Sequence, residues 1–246
     1  MHLIQALVLL AGMALIALVV IIFGVPWWGN PKLNLFFIRC FSFFVCHLIG
    51  LKLVKVDQHK ILSRRPAVLI GNHQSALDFA LIGSVSPEYS VVVGKKEILY
   101  LPIIGWYFKI AGNLFIDRSN ARDSHLRFKK LADQMVQKNL DVSIFPEGTR
   151  NRKSNTELLP FKKGAFHIAF SKKLPIIPVV CSSLKNIAVW ERLELGGGVV
   201  VVKVLDSIET ADVPEEQMND FVERVRSLMQ SEMDQINAEI NAGKWK

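Results

Sequence analysis

The sequence predicts an α/β fold: a mixed, mostly buried sheet flanked by helices, preceded by a membrane-embedded helical segment. Three observations predict it. An uncharged apolar run lies at the N-terminus, short Val- and Ile-rich runs alternate with amphipathic stretches from about residue 55, and a long helical pattern lies near the C-terminus. With 246 residues the chain has room for one sizeable domain and an appended element. The expected division is 1–54 for a membrane-anchoring helical segment and 55–246 for the α/β domain.

Leu3 to Val25 is apolar but for Gln5 and carries no charged side chain, which is long enough to cross a bilayer. A cleaved signal peptide would need a basic stretch before the run and a small-x-small site after it. Pro26, Trp27 and Trp28 stand there instead, and tryptophans suit a membrane interface. The segment is therefore read as a retained anchor, spanning or re-entrant. A turn at Gly29-Asn30-Pro31 leads to a second apolar run, Leu33 to about Leu53. Arg39 and His47 make it a poor span and a better interfacial helix. Lys32, Arg39, Lys52 and Lys55 lie on the domain side of the first run, with no acidic residue before Asp57. The positive-inside rule then places the domain on the cytoplasmic face of the inner membrane.

Within the domain, strands are expected at Ala67–Ile70, Ser90–Val93, Val142–Phe145, Ile176–Val180 and Val199–Leu205, each short and β-branched. Ser124 to Asn139 reads as a helix with Phe128, Leu131 and Met135 on one face. Pro214 to about Asn241 is the clearest helix: Met218, Phe221, Val222, Val225, Leu228 and Met229 keep its period, and Gly243 follows its end.

Composition narrows the function. A net charge of +8 points to an anionic partner: nucleic acid, a phosphate-bearing substrate or an acidic membrane surface. The membrane run, and the lack of a nucleic-acid-binding motif, argue against nucleic acid. Cys40, Cys46 and Cys181 show no metal-ligand spacing, so neither a zinc site nor a disulfide framework is expected. Cys181 falls in a predicted strand and reads as a core thiol, not a nucleophile.

Two constellations carry chemistry. Asn72-His73-Gln74-Ser75-Ala76-Leu77-Asp78 follows a predicted strand. A histidine with a carboxylate in reach is the minimal general base. Inside one helix, five positions at ~100° each would leave His73 and Asp78 roughly 140° apart. They meet only if His73 lies in a turn, with the helix starting between His73 and Ser75; Ser75-x-x-Asp78 has the capping-box pattern. A capping Asp and a loop His explain the same letters. Phe145-Pro146-Glu147-Gly148-Thr149-Arg150 follows another strand. Gly148 permits close backbone approach, and Arg150 can grip a phosphate with two parallel bonds. A solvated surface turn is the alternative there.

Taken in order, His-x4-Asp, Gly112-Asn113-Leu114-Phe115-Ile116-Asp117-Arg118, the Phe145–Arg150 block and the strand framed by Pro175 and Pro178 resemble the glycerolipid acyltransferase family. The similarity spans residues 72–179 and is strongest to short bacterial 1-acylglycerol-3-phosphate acyltransferases. One departure is Asn151, where many relatives carry Ser. The resemblance implies that His73 removes a proton from a glycerol hydroxyl, that Asp78 steadies it, and that the alkoxide attacks a thioester directly. It implies lysophosphatidic acid as acceptor, acyl-CoA or acyl-acyl carrier protein as donor, membrane lipids as surroundings, and no metal or cofactor. Arg118 and Arg150 are the expected phosphate contacts, Glu147 and Gly148 the shapers of the glycerol site. Lys95, with Lys96 beside it, is expected to add positive charge near a substrate phosphate. Another lysophospholipid or lyso-aminolipid acceptor, thioester hydrolysis, and a non-catalytic membrane lipid-binding protein are the alternatives.

Overall fold

The computed structural model describes residues 2–116, 124–151, 156–185, 187–189 and 194–245. Two long helices come first, α1 (His2–Gly24) and α2 (Pro31–Ile49). Asn30 caps α2, its Oδ1 accepting from the Lys32 N–H at 3.0 Å, and Pro31 occupies the first turn, where a missing N–H costs nothing. Gly50, in the left-handed conformation, ends it. There follow β1 (Leu51–Val56), β2 (Val68–Gly71), α3 (Asp78–Gly83), β3 (Ser90–Lys95), α4 (Ile104–Ile110) and β4 (Leu114–Ile116). The second half contains α5 (Ser124–Lys138), β5 (Asp141–Ile144), α6 (Gly164–Ser171), β6 (Ile176–Cys181), the small pair β7 (Ala188–Val189) and β8 (Glu194–Leu195), β9 (Gly198–Val204) and α7 (Met218–Asn241).

Seven strands form one mixed sheet in the order β1-β9-β6-β2-β5-β3-β4. Neighbours from β6 to β4 are parallel, β6 and β9 are antiparallel, and β1 runs parallel to β9. The expected α/β class with a mixed, buried sheet is what the chain adopts. Wholly apolar strands such as Val68-Leu69-Ile70 arise because both faces are covered. Side-chain alternation assigns each residue to a face. Leu69, Ile177, Val179, Val200 and Val202 pack with α2, α3 and α4, whereas Val68, Ile70, Ile176, Val180 and Val201 pack with α5, α6 and α7.

The N-terminal helices are thus part of the core. Phe37, Ile38, Phe41 and Val45 of α2 are buried against the sheet face. Burying a side chain of that size is worth about 1.5–3 kcal/mol, so the four together exceed what a loose tether contributes. The run Leu33–Leu53, expected as one interfacial helix, is divided between α2 and the start of β1, and the boundary expected after residue 54 falls within β1. An Asn34 network seals the junction. Its Oδ1 accepts from the Tyr107 hydroxyl at 2.6 Å and from Asn113 Nδ2 at 3.1 Å, while its own amide donates to the Ser90 carbonyl at 3.2 Å. All three side chains are buried and mutually satisfied, the condition under which a polar core network fixes geometry.

Candidate active site

In a parallel α/β sheet, loops at the carboxyl ends of the strands are where ligands bind. Here β2 ends two residues before His73, β5 runs directly into Phe145–Arg150, and β3 ends on Lys95. The expected site residues share that edge. Arg118 lies just past β4, outside the described residues.

His73 Nδ1 stands 2.9 Å from Asp78 Oδ2. The α-helix begins at Asp78, later than the expected start between His73 and Ser75, because residues 75–77 form a turn closed by the bond from the Asp78 N–H to the Ser75 carbonyl. That turn swings the carboxylate back under His73. Its Oδ2 also accepts the N–H groups of Gln74 at 2.5 Å and Ser75 at 2.7 Å, the second being the reverse half of a capping box. Asp78 is fully buried, and burial pushes its carboxyl above the ordinary range, opposed by the bonds from His73, Ser75 and Gln74. An ionised Asp78 accepts, so Nδ1 carries the proton and Nε2 is left with its lone pair. The ring is 21% exposed and stacks on Phe145 at 4.3 Å between centroids, which fixes its plane while leaving one edge open. This is the geometry of an oriented general base.

The loop carrying His73 is held from four sides. Glu147 Oε1 accepts the His73 N–H at 2.6 Å, and the His73 carbonyl accepts the Asn151 N–H at 3.0 Å. Asn72 bonds both main-chain groups of Cys181, donating to its carbonyl at 2.9 Å and accepting its N–H at 2.8 Å. Gln74 donates to Ser182 O at 3.0 Å and accepts from Leu184 N–H at 3.0 Å. Helix α7 supports the neighbouring segment: Gln230 accepts the Leu158 N–H at 2.8 Å, and Arg226 donates to the Leu158 carbonyl at 3.2 Å. Asn72 and Gln74 were recognisable as polar residues directly after a buried strand. Asn151, Gln230 and Arg226 gave no local signal, since their partners are remote in sequence.

Glu147, expected to shape the glycerol site, is tied to main chain through both oxygens. It is 2% exposed, and its second oxygen accepts the Leu159 N–H at 3.0 Å, so both oxygens are taken by main chain. Burial raises its carboxyl above the usual range, against the pull of those two bonds. Glu147→Gln keeps one acceptor oxygen and turns an NH2 toward a backbone donor, a loss of about 1–3 kcal/mol. The variant should lower kcat and melting temperature with little change in KM for the acceptor. A raised acceptor KM at unchanged kcat would return Glu147 to the substrate.

Gly148 has φ +69°, a left-handed conformation that favours glycine. Arg150 is exposed two residues on, and Lys95 is exposed at the end of β3, two strands from β2, or about 10 Å across the sheet. Beneath Phe145 lies an apolar cleft lined by Leu69, Gly71, Phe79, Ile82 and Val92. Cys181 is fully buried in β6, and burial drives its thiol well upward, as suits a core thiol.

The profile of a family described as Acyltransferase matches residues 53–182. A 1-acyl-sn-glycerol-3-phosphate acyltransferase of Haemophilus influenzae is 38% identical over 199 residues, covering 80% of each chain. The enzyme of that name from Saccharomyces cerevisiae is 34% identical over 198 residues, 80% of this chain and 65% of the relative. The human beta enzyme is 39% identical over 190 residues, 75% of this chain and 66% of its own. The chain thus spans about two thirds of those two eukaryotic relatives. The crystal structure of the 1-acyl-sn-glycerophosphate acyltransferase of Thermotoga maritima shares the fold, with a TM-score of 0.71 at 23% identity over 95% of this chain and 98% of that one. With its strand-end histidine and carboxylate inside the matched half of the sequence, and relatives aligned over four fifths of its length, this chain belongs to the acyltransferase family.

Proposed function

We propose that the chain transfers a fatty acyl group from acyl-CoA or acyl-acyl carrier protein to the sn-2 hydroxyl of 1-acyl-sn-glycerol 3-phosphate, giving phosphatidic acid. The observation that carries this reading is the His73–Asp78 pair, set beside a basic turn at the ends of β2 and β5. Nε2 of His73 takes the hydroxyl proton as the alkoxide attacks the thioester carbonyl. Asp78 stabilises the imidazolium, which returns the proton to the departing thiolate. The acyl group passes directly between substrates, since Cys181 lies within the core and offers no nucleophile at the edge. A small apolar cleft lies under Phe145, next to the base.

Arg150 and Arg118 are the phosphate contacts in this reading, with Lys95 adding charge at the same edge. Purified protein supplied with labelled acyl thioester should release thiol and form phosphatidic acid in equal amounts, only when lysophosphatidic acid is present. Free fatty acid without acceptor would mean hydrolysis, and no turnover would mean a lipid-binding role. A lost charge-assisted bidentate contact costs about 1.5–3 kcal/mol, so Arg150→Ala should raise acceptor KM about ten- to more than a hundred-fold. A change confined to donor KM would move Arg150 to the thioester side.

The same reading seats α1 and α2 in the cytoplasmic membrane, with the domain on its cytoplasmic face. Both helices are long and apolar enough to cross a bilayer. Leu7, Leu15, Ile22, Phe23, Trp27 and Trp28 of the α1 segment are exposed, while Leu9, Ala17 and Val20 pack inward. Outward apolar residues on a helix already packed on its other face need a non-aqueous neighbour. Changing Leu7, Leu15 and Ile22 together to Lys should shift the protein from the membrane pellet to the supernatant and depress turnover of vesicle-borne acceptor. Unaltered sedimentation would show that α1 is not the anchor.

A further inference from the structure

Lys162 opens the segment that leads into α6, and nothing in its exposure alone sets it apart from Lys163 beside it. Its placement does. Its N–H donates to the Pro146 carbonyl at 2.8 Å, which fastens the residue to the turn after β5. A Cβ added at Gly148 would lie 3.0–3.1 Å from Cδ, Cε and Nζ of Lys162, and these are its three nearest atoms. The glycine therefore does two things at once. It takes up φ +69°, and it leaves room for a lysine stem to lie across the turn with its ammonium beside the main chain. The adjacent residue, Glu147, holds the His73 N–H, and Asn151 in the same loop holds the His73 carbonyl.

Charge completes the case. Among the described residues neither Lys162 nor Arg150 has an ion-pair partner. The carboxylate nearest Arg150 in sequence, Glu147, is buried with both oxygens bonded to main chain, and the one nearest Lys162, the exposed Glu157, forms no ion pair with it. Two cations fastened to one turn, Arg150 within it and Lys162 through the Pro146 carbonyl, attract an anion to the same edge. A phosphomonoester carries about −1.5 to −2 charges near neutral pH and has three acceptor oxygens, more than one guanidinium fork satisfies. We propose that Lys162 is a second cation for the acceptor's phosphomonoester, a point charge that acts beside the Arg150 fork. This rests on the acceptor named above, and it makes Lys162 a specificity residue that selects a phosphate-bearing lysolipid over a neutral monoacylglycerol.

The test compares wild type with Lys162→Ala, Lys162→Arg and Lys163→Ala in steady-state kinetics and in equilibrium binding of micellar lysophosphatidic acid. Loss of a contact made equally in ground and transition states raises KM and spares kcat. Lys162→Ala should raise acceptor KM and Kd about ten- to a hundred-fold, with donor KM and kcat unchanged. Lys162→Arg should recover most of the affinity, Lys163→Ala should behave as wild type, and added salt should narrow the gap. The proposal is overturned if Lys162→Ala matches wild type in both assays, or if only its donor KM rises. Wild type that neither binds nor acylates lysophosphatidic acid would remove the acceptor assignment and this proposal together. Wild-type activity with an indifferent Lys162→Ala would remove this proposal alone.

Discussion

Replacing His73 with alanine is expected to lower turnover about 100- to 10,000-fold, the usual cost of losing a general base, while leaving the fold intact. The separation follows from how the loop is held. Its fixings run through the His73 main chain, to Glu147 and from Asn151, and alanine keeps both. What it loses is a ring that is partly exposed, stacks on Phe145 and meets one carboxylate oxygen. Circular dichroism and thermal melting should therefore match wild type when labelled thioester is no longer consumed. A variant that retains more than a tenth of wild-type turnover would leave the proton to another group.

Asp78→Asn should divide chemistry from stability more sharply still. The native carboxyl sits above its ordinary value of 3.8, chiefly through burial. A group raised in the fold binds its proton more tightly there than in the unfolded chain. Ionised Asp78 therefore costs stability, a cost absent at pH below 3.8 that sets in as pH rises through the raised native value. Oδ1 of the same carboxylate is buried with no hydrogen-bond partner among the described residues, which adds to the cost of ionisation. Asparagine removes the charge and keeps an acceptor for the Gln74 and Ser75 N–H groups. We expect a melting temperature at neutral pH equal to or above wild type, with a flatter pH dependence. Turnover should nonetheless fall about 100- to 10,000-fold, because a neutral amide does not stabilise an imidazolium. Parallel loss of stability and activity would reduce Asp78 to a cap.

What the sequence made legible divides by range. The His73–Asp78 contact could be read because five residues and one turn decide it, and the five central strands because short β-branched runs have few other uses. Even there the helix began later than capping logic suggests, since three turn residues precede Asp78. The role of α2 was hidden for a physical reason: a helix stripe bound for a sheet and one bound for lipid have the same composition. β1 was absorbed into that apolar run, and β4, with three residues, is too short for any period to show. The main-chain partners of Glu147 were hidden because letters do not say which way a carboxylate turns. Leu159 and His73 together decide it, and one of them is 74 positions away.

The pairing of β1 with β9 also has a temporal side. Its partners, such as Leu51 and Gly198, are roughly 150 positions apart, so the loop between them must close before either gains a neighbour. Until β9 exists, β1 keeps an open edge, and the Phe37–Phe41 stripe of α2 has an incomplete sheet to cover. Were α1 and α2 seated in a bilayer as proposed, acyl chains would receive that stripe as readily as a protein interior does. Lipid would then shelter the stripe during synthesis until the last strand completed the sheet. A chain made away from membrane holds the same stripe against water for the whole interval, and its characteristic failure is aggregation before the seam can close.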